Sequence, residues 1–231
     1  MEWNFKNEYQ EWNSEISNKE EKLKIAQKIA SFVKDGDTIG FGSGSTSFLA
    51  IKEIAKKIQA ERINITAIPT SYEIKLLCNS LGIKTASIME KKPDWSFDGT
   101  DEVNSKNWLI KGRGAAMFKE KLNIINSNKV YILADSSKFV NKLGENFKIP
   151  VECYPETINY VKEELYKIGA TSCILRPAKG KDGPVITENN NFILDVKFDN
   201  IDENLEKLLK QITGVVETGL FIGYNNIEIL K

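Results

Sequence analysis

The chain has 231 residues, enough for one large domain or two unequal ones, with 41% hydrophobic and 28% charged residues, as in an ordinary globular protein. Lys+Arg and Asp+Glu are both 32, so the formal net charge is zero and overall charge gives no case for nucleic acid or an anionic membrane. There is no histidine, and Cys78, Cys153 and Cys173 are scattered without a CxxC pair, which argues against zinc and suits a reducing cytoplasm.

Residues 1–20 read as a polar extension, not a signal peptide, in which Trp3, Phe5 and Trp12 either dock on the body or another subunit or fray. No apolar run approaches a membrane span. Apolar residues at 23, 26, 29, 30 and 33 predict an amphipathic helix over 21–34, stopped by Asp35-Gly36-Asp37. TIGFGSGSTSFLAIKEIAKKI then predicts a strand, a glycine turn and a helix. INITAIPTS reads as a strand, SYEIKLLCNSLG as a helix and IKTAS as a short strand. WSFDGTDE and NWLIKG read as strands beside an acidic turn, AAMFKEKLNIIN as a helix starting near Ala115, and KVYILAD as a buried strand. This alternation predicts a mainly parallel sheet with helices on both faces.

After Pro150 the order becomes β-α-β-β-α-β, from PVECYP through ETINYVKEELYKIG, TSCILR, NFILDVKF and NIDENLEKLLKQI to VVETGLFI, as in a ferredoxin-like unit. The expected division is an extension at 1–20, a Rossmann-like domain at 21–145 with 217–231, and a small ferredoxin-like α+β domain at 146–216.

Three segments carry candidate chemistry. GFGSGST (40–46) joins a strand to a helix start; Ser43, Gly44, Ser45 and Thr46 offer amides and hydroxyls to an anion, although a plain turn has the same composition. The loop has neither the last glycine of G-x-G-x-x-G nor the lysine of a P-loop. In the second segment Asp98-Gly99-Thr100-Asp101 sets two carboxylates across a turn, for one ligand or for turn chemistry alone. Lys111 ends a strand, and Gly112-Arg113-Gly114 leads to a second helix start; Arg113 fits a loop filler or an anion contact. Glu120 lies about five residues into that helix, roughly 7–8 Å along it, and either leans back to the loop or stands exposed among lysines. The third candidate, Lys138 in ADSSK, follows a strand end, where open α/β sheets bind ligands; a solvated lysine is its alternative.

GFGSGST, SFDGTDEVN, LIKGRGAAMFKEK and ILADSSK followed by FVNKLG, in this order, resemble ribose-5-phosphate isomerase, type A, over about 22–225. The resemblance implies a Rossmann-like domain with a ferredoxin-like lid, and a cofactor-free, metal-free interconversion of D-ribose 5-phosphate and D-ribulose 5-phosphate in the non-oxidative pentose phosphate pathway. It implies that Glu120 is the base, that Ser43–Thr46 hold phosphate, and that Asp98–Asp101, Lys111–Gly114 and Lys138 contact the sugar phosphate. Lys111 would stabilise the enediolate, Asp98 and Asp101 would act on the hydroxyls and the ring, and the protein would be a cytoplasmic homodimer or homotetramer. Thr100, Ser43 and Arg113 stand where the family often has alanine, threonine and glycine, and segment 84–97 is short. Two alternatives compete. In a coenzyme A transferase-like enzyme Glu120 would attack an acyl group; a non-catalytic sugar-phosphate-binding domain would bind without turnover.

Overall fold

The computed structural model describes residues 11–12 and 15–231. Trp3 and Phe5 lie outside them. In chain order, α1 spans Lys19–Ser31, β1 Thr38–Phe41, α2 Ser45–Glu61, β2 Thr66–Pro69, α3 Tyr72–Ser80, β3 Lys84–Thr85 and β4 Trp95–Gly99. There follow β5 Glu102–Val103, β6 Leu109–Ile110, α4 Met117–Asn126, β7 Lys129–Leu133, β8 Ile149–Cys153, α5 Ile158–Lys167 and β9 Ser172–Leu175. The last elements are β10 Phe192–Lys197, α6 Leu205–Gln211, β11 Val215–Thr218, β12 Leu220–Phe221 and β13 Ile227–Leu230.

The fold is mixed α/β, as the alternation of segments predicts. The chain forms two compact units. The first holds residues up to Gly99, Lys119–Ser137 and Asn226–Lys231; the second holds Thr100–Phe118 and Lys138–Asn225. Contacts thus divide segments 100–118, 138–145 and 217–225 differently from limits drawn by strand order.

The first unit is built on a six-stranded sheet, ordered β13-β7-β4-β1-β2-β3, in which every pairing is parallel. This is the doubly wound order, and the crossovers change direction between β1 and β4. TIGF of β1 is buried at all positions, the pattern of a strand covered on both faces. Its core joins Ile25, Ala26 and Ile29 of α1 with Ala50, Ile51 and Ile54 of α2 and with Ile39, Phe41 and Phe97 of the strands. Trp12 does dock on this body: its ring lies 5.2 Å from that of Phe48. The strand β13 was not legible in advance; Ile227–Leu230 is short, and it adds to the sheet edge by parallel pairing with β7.

The second unit contains the ferredoxin-like sheet, ordered β11-β8-β10-β9, with antiparallel neighbours throughout. A three-stranded antiparallel sheet, β12-β6-β5, completes it. VVETGLFI, expected as one strand, is two: β11 pairs with β8 and β12 with β6. The change of partner occurs at Gly219, whose N–H donates to Pro150 O at 2.7 Å while its carbonyl accepts from Lys111 N at 2.8 Å. The core of this unit gathers Val151, Val161, Leu165, Leu194, Val196 and Leu209.

All three cysteines are buried and free. Burial pushes the thiols of Cys78 and Cys153 up to about 12 and that of Cys173 up to about 11, far from the thiolate at neutral pH. Iodoacetamide at pH 8 is therefore expected to leave the folded protein unmodified and to label three thiols per chain in denaturant, read by intact mass. Rapid labelling without denaturant would contradict this packing.

Candidate active site

In the first unit the loop after β1 meets the end of β4. Gly42 N–H donates to Phe97 O at 2.9 Å, and Ser43 N–H donates to Asp98 Oδ1 at 3.2 Å. A Cβ at Gly42 would lie 2.1 Å from Asp98 Oδ1, so only glycine allows this approach. Asp98 is 3% exposed, and Oδ1 also accepts its neighbour Gly99 N–H at 2.8 Å. Gly44 turns the chain with φ 94° and α2 begins at Ser45, its first intrahelical bond running from Phe48 N to Gly44 O. The amides of Ser45, Thr46 and Ser47 therefore belong to the first turn of α2, where helix N–H groups have no intrahelical acceptor and suit an anion.

Two groups that sequence reasoning missed support this loop. Thr70 and Ser71, just after β2, meet Ser43 Oγ at 2.8 Å and 3.0 Å, and Ser71 also caps α3 through Ile74 N. Lys22 is 3% exposed; its Nζ lies 3.3 Å from Ser45 Oγ and from Ser17 Oγ, and 3.7 Å from Asp135 Oδ2. A signal was present: Lys22 continues the stripe of Ile25, Ala26 and Ile29, so a helix burying those residues also buries Lys22. Burial pushes the Asp135 carboxyl up, but hydrogen bonds from Ser137 and Asn18, with the charge of Lys22, more than offset it and hold the group below the usual aspartate range.

Glu120 lies at the start of α4. The helix begins at Met117, not near Ala115, because Ala115 takes φ 63°, which a right-handed helix excludes. Glu120 is accordingly in the first turn, about 4.5 Å from the helix start at 1.5 Å per residue. At 5% exposure it is no solvated member of a lysine run.

In the second unit Thr100 Oγ1 meets Glu102 O at 2.7 Å and Ile110 O at 3.0 Å, and Asp101 N–H donates to Ile110 O at 2.9 Å. Asp101 Oδ2 accepts Arg113 N–H at 3.1 Å, so the acidic turn and the Lys111–Gly114 loop are joined directly. Lys111 is 3% exposed, with Nζ 5.8 Å from the centre of the Phe221 ring. Gly112 adopts φ 100°, whereas Arg113 and Gly114 are exposed. Lys138 closes a short helical turn, Ser136–Lys138, and stands 5.8 Å from the Phe147 ring. Glu102, next to Asp101, is fully buried and accepts three backbone amides: Gly144 at 2.6 Å, Asn146 at 2.6 Å and Phe147 at 2.8 Å. It ties the segment after Lys138 to the acidic turn.

The first unit thus brings Ser43 and Asp98 into direct contact, and the second brings Asp101 to the Lys111–Gly114 loop. Among the described residues no group of three or more Cys, Asp or Glu side chains forms a metal site, and no helix is long and apolar enough to cross a membrane.

Comparison with known proteins gives the kinship. Residues 66–230 match the family model of ribose 5-phosphate isomerase A (phosphoriboisomerase A). The chain is 43% identical to a ribose-5-phosphate isomerase A of Methanocaldococcus jannaschii over 93% of its own length and 95% of that relative. This chain belongs to the ribose 5-phosphate isomerase A family. The solved ribose 5-phosphate isomerase A of Methanocaldococcus jannaschii superposes with a TM-score of 0.88 at 41% identity, covering 93% of this chain and 96% of that one. A D-ribose-5-phosphate isomerase solved in complex with phospho-erythronic acid also gives 0.88, at 36% identity over 93% and 95% of the two chains. A second family model, the DeoR C-terminal sensor domain, matches residues 17–83. That match takes in the Ser43–Thr46 loop and ends before Asp98.

Two outcomes follow for the isomerase-family scaffold. Glu102→Ala leaves three amides without their acceptor and is expected to lower unfolding free energy by about 3 kcal/mol in urea titrations; a loss below about 1 kcal/mol would show that the loop does not need the carboxylate. The depressed Asp135 adds stability above the unfolded-state aspartate value, near pH 4, and this is lost as pH falls through its lower folded value. Asp135→Asn is therefore expected to be less stable than the parent at pH 7, with the gap narrowing below about pH 4.

Proposed function

We propose that the protein is a ribose-5-phosphate isomerase, interconverting D-ribose 5-phosphate and D-ribulose 5-phosphate through an enediolate. The observation that carries the reading is the identity, over at least nine tenths of the chain, to relatives named for that activity. Aldose–ketose isomerisation moves one proton between adjacent carbons and needs a base and a stabilised oxyanion, not a histidine. In this reading the Glu120 carboxylate takes the proton from C2 of the open-chain sugar and returns it to C1, while the hydroxyl proton passes from O2 to O1. Its burial supports the role, since at 5% exposure the carboxylate is withdrawn from bulk solvent.

The Lys111 ammonium neutralises charge on the enediolate oxygen, where preorganised electrostatics act most. Asp98 and Asp101 orient the hydroxyls, one of them assisting ring opening, with Gly99, Thr100, Gly112, Arg113 and Gly114 as backbone lining. The Ser43–Thr46 loop takes the phosphate: α2 directs its first-turn amides there, and Lys22 places a buried charge beside Ser45. Lys138 is a further substrate contact. No cofactor or metal takes part in this scheme. By strand order the Rossmann-like domain takes 21–145 with 217–231 and the ferredoxin-like one 146–216; the enzyme works in the cytoplasm as a homodimer or homotetramer, in the non-oxidative pentose phosphate pathway.

The DeoR sensor match favours a second reading, a sugar-phosphate-binding domain without turnover. Its extent weakens it: residues 17–83 contain neither Asp98, Asp101, Lys111 nor Glu120.

Purified protein with ribose 5-phosphate and no added cofactor is expected to form ketopentose and, in heavy water, to place deuterium on carbon; ligand binding without conversion would select the sensor. Glu120→Gln is expected to lower kcat by about a thousandfold with KM within a few-fold. Near-parental turnover of that variant would move the base elsewhere.

A further inference from the structure

The Gly112-Arg113-Gly114 loop is held from the ferredoxin-like sheet of its own unit. Arg176, immediately after β9, donates through Nη1 to Gly112 O at 2.9 Å and to Arg113 O at 3.1 Å. Its remaining edge is locked by Asp195 of β10, with Nε on Oδ2 at 2.9 Å and Nη2 on Oδ1 at 2.5 Å. The main chain of Arg176 is fixed as well: its N–H donates to Ile193 O at 2.8 Å and its carbonyl accepts from Val185 N at 2.9 Å. Both side chains are largely covered, at 14% and 24% exposure.

We propose that Arg176, locked by Asp195, is a positioning residue of the isomerase, acting on Asp101 and the Lys111–Gly114 segment through the Gly112 and Arg113 carbonyls. In a trans peptide the carbonyl and the following N–H point in opposite directions. Holding Gly112 O therefore aims the Arg113 N–H, and that N–H is the donor to Asp101 Oδ2. The chain of contacts runs from Asp195 through Arg176 and one peptide plane to the Asp101 carboxylate. Asp195 neutralises the guanidinium, so Arg176 acts by geometry, not by its charge. Only a planar fork can engage a carboxylate along one edge and two carbonyls along another; an ammonium cannot.

The inference rests on the proposed roles of Asp101 and Lys111, and its test separates the two. Arg176→Lys, assayed with ribose 5-phosphate, is expected to lower kcat at least tenfold with KM changed less than threefold, because the phosphate is assigned to the Ser43–Thr46 loop. Asp195→Asn is expected to lower kcat about three- to tenfold, and the double variant is expected to be no worse than Arg176→Lys alone. Hydrogen exchange of a peptide spanning Arg113 should quicken at least tenfold in Arg176→Lys. A folded Arg176→Lys variant with kcat within twofold of the parent, or single losses that multiply in the double variant, would overturn the proposal. If Arg176→Lys does not fold, Asp195→Asn with parental kcat overturns it instead. A parent inactive on ribose 5-phosphate would sink the isomerase reading, while unchanged exchange at Arg113 would sink the clamp whatever the activity.

Discussion

Gly42 lies so close to Asp98 that no side chain fits at position 42, and its N–H donates to the carbonyl of the preceding residue, Phe97. This contact lies where the crossovers of the parallel sheet change direction, between β1 and β4. Two sequence features that look independent, a glycine loop and an acidic turn, are there made one object: the Ser43 amide rests on the Asp98 carboxylate. The loop cannot shift without moving the acid. The start of α2, the cap of α3 and the buried Lys22 are arranged around that pair.

The second unit orders its groups by a different device. Its charges are bound to backbone. Glu102 collects three amides, Asp101 takes one, and Arg176 takes two carbonyls. Charge-assisted hydrogen bonds to main chain are short and directional, and they leave loop conformation little freedom. This suits segments such as Lys111–Gly114, which lack a ladder of their own and include a residue at φ 100°.

Much of this was legible in the sequence, because regular periodicity and glycine punctuation are local signals. The parallel alternation, the β-α-β-β-α-β order and the GFGSGST turn all read correctly from neighbours in the chain. The failures are nonlocal. VVETGLFI looks like one strand because its residues favour extension throughout; only pairing partners distant in sequence divide it at Gly219. Glu120 sits among lysines, and its local pattern leaves open whether it leans back or is solvated; tertiary packing decides by covering it. Ala115 favours helix by propensity, and the turn closed by its N–H on Gly112 O overrides that preference. Arg176 and Lys22 carry no motif, and their partners lie at distances no local pattern encodes.

The pairing of β13 with β7 has a consequence for how the molecule is made. Those strands are neighbours in the sheet but are separated in sequence by the whole second stretch of the second unit. Closing so long a loop costs entropy that grows only slowly with its length, but the search for the contact is long, and parallel pairing of this kind is slow. An edge of β7 left unpaired until Ile227–Leu230 arrives presents open N–H and C=O groups, the kind of edge that can mispair with another chain.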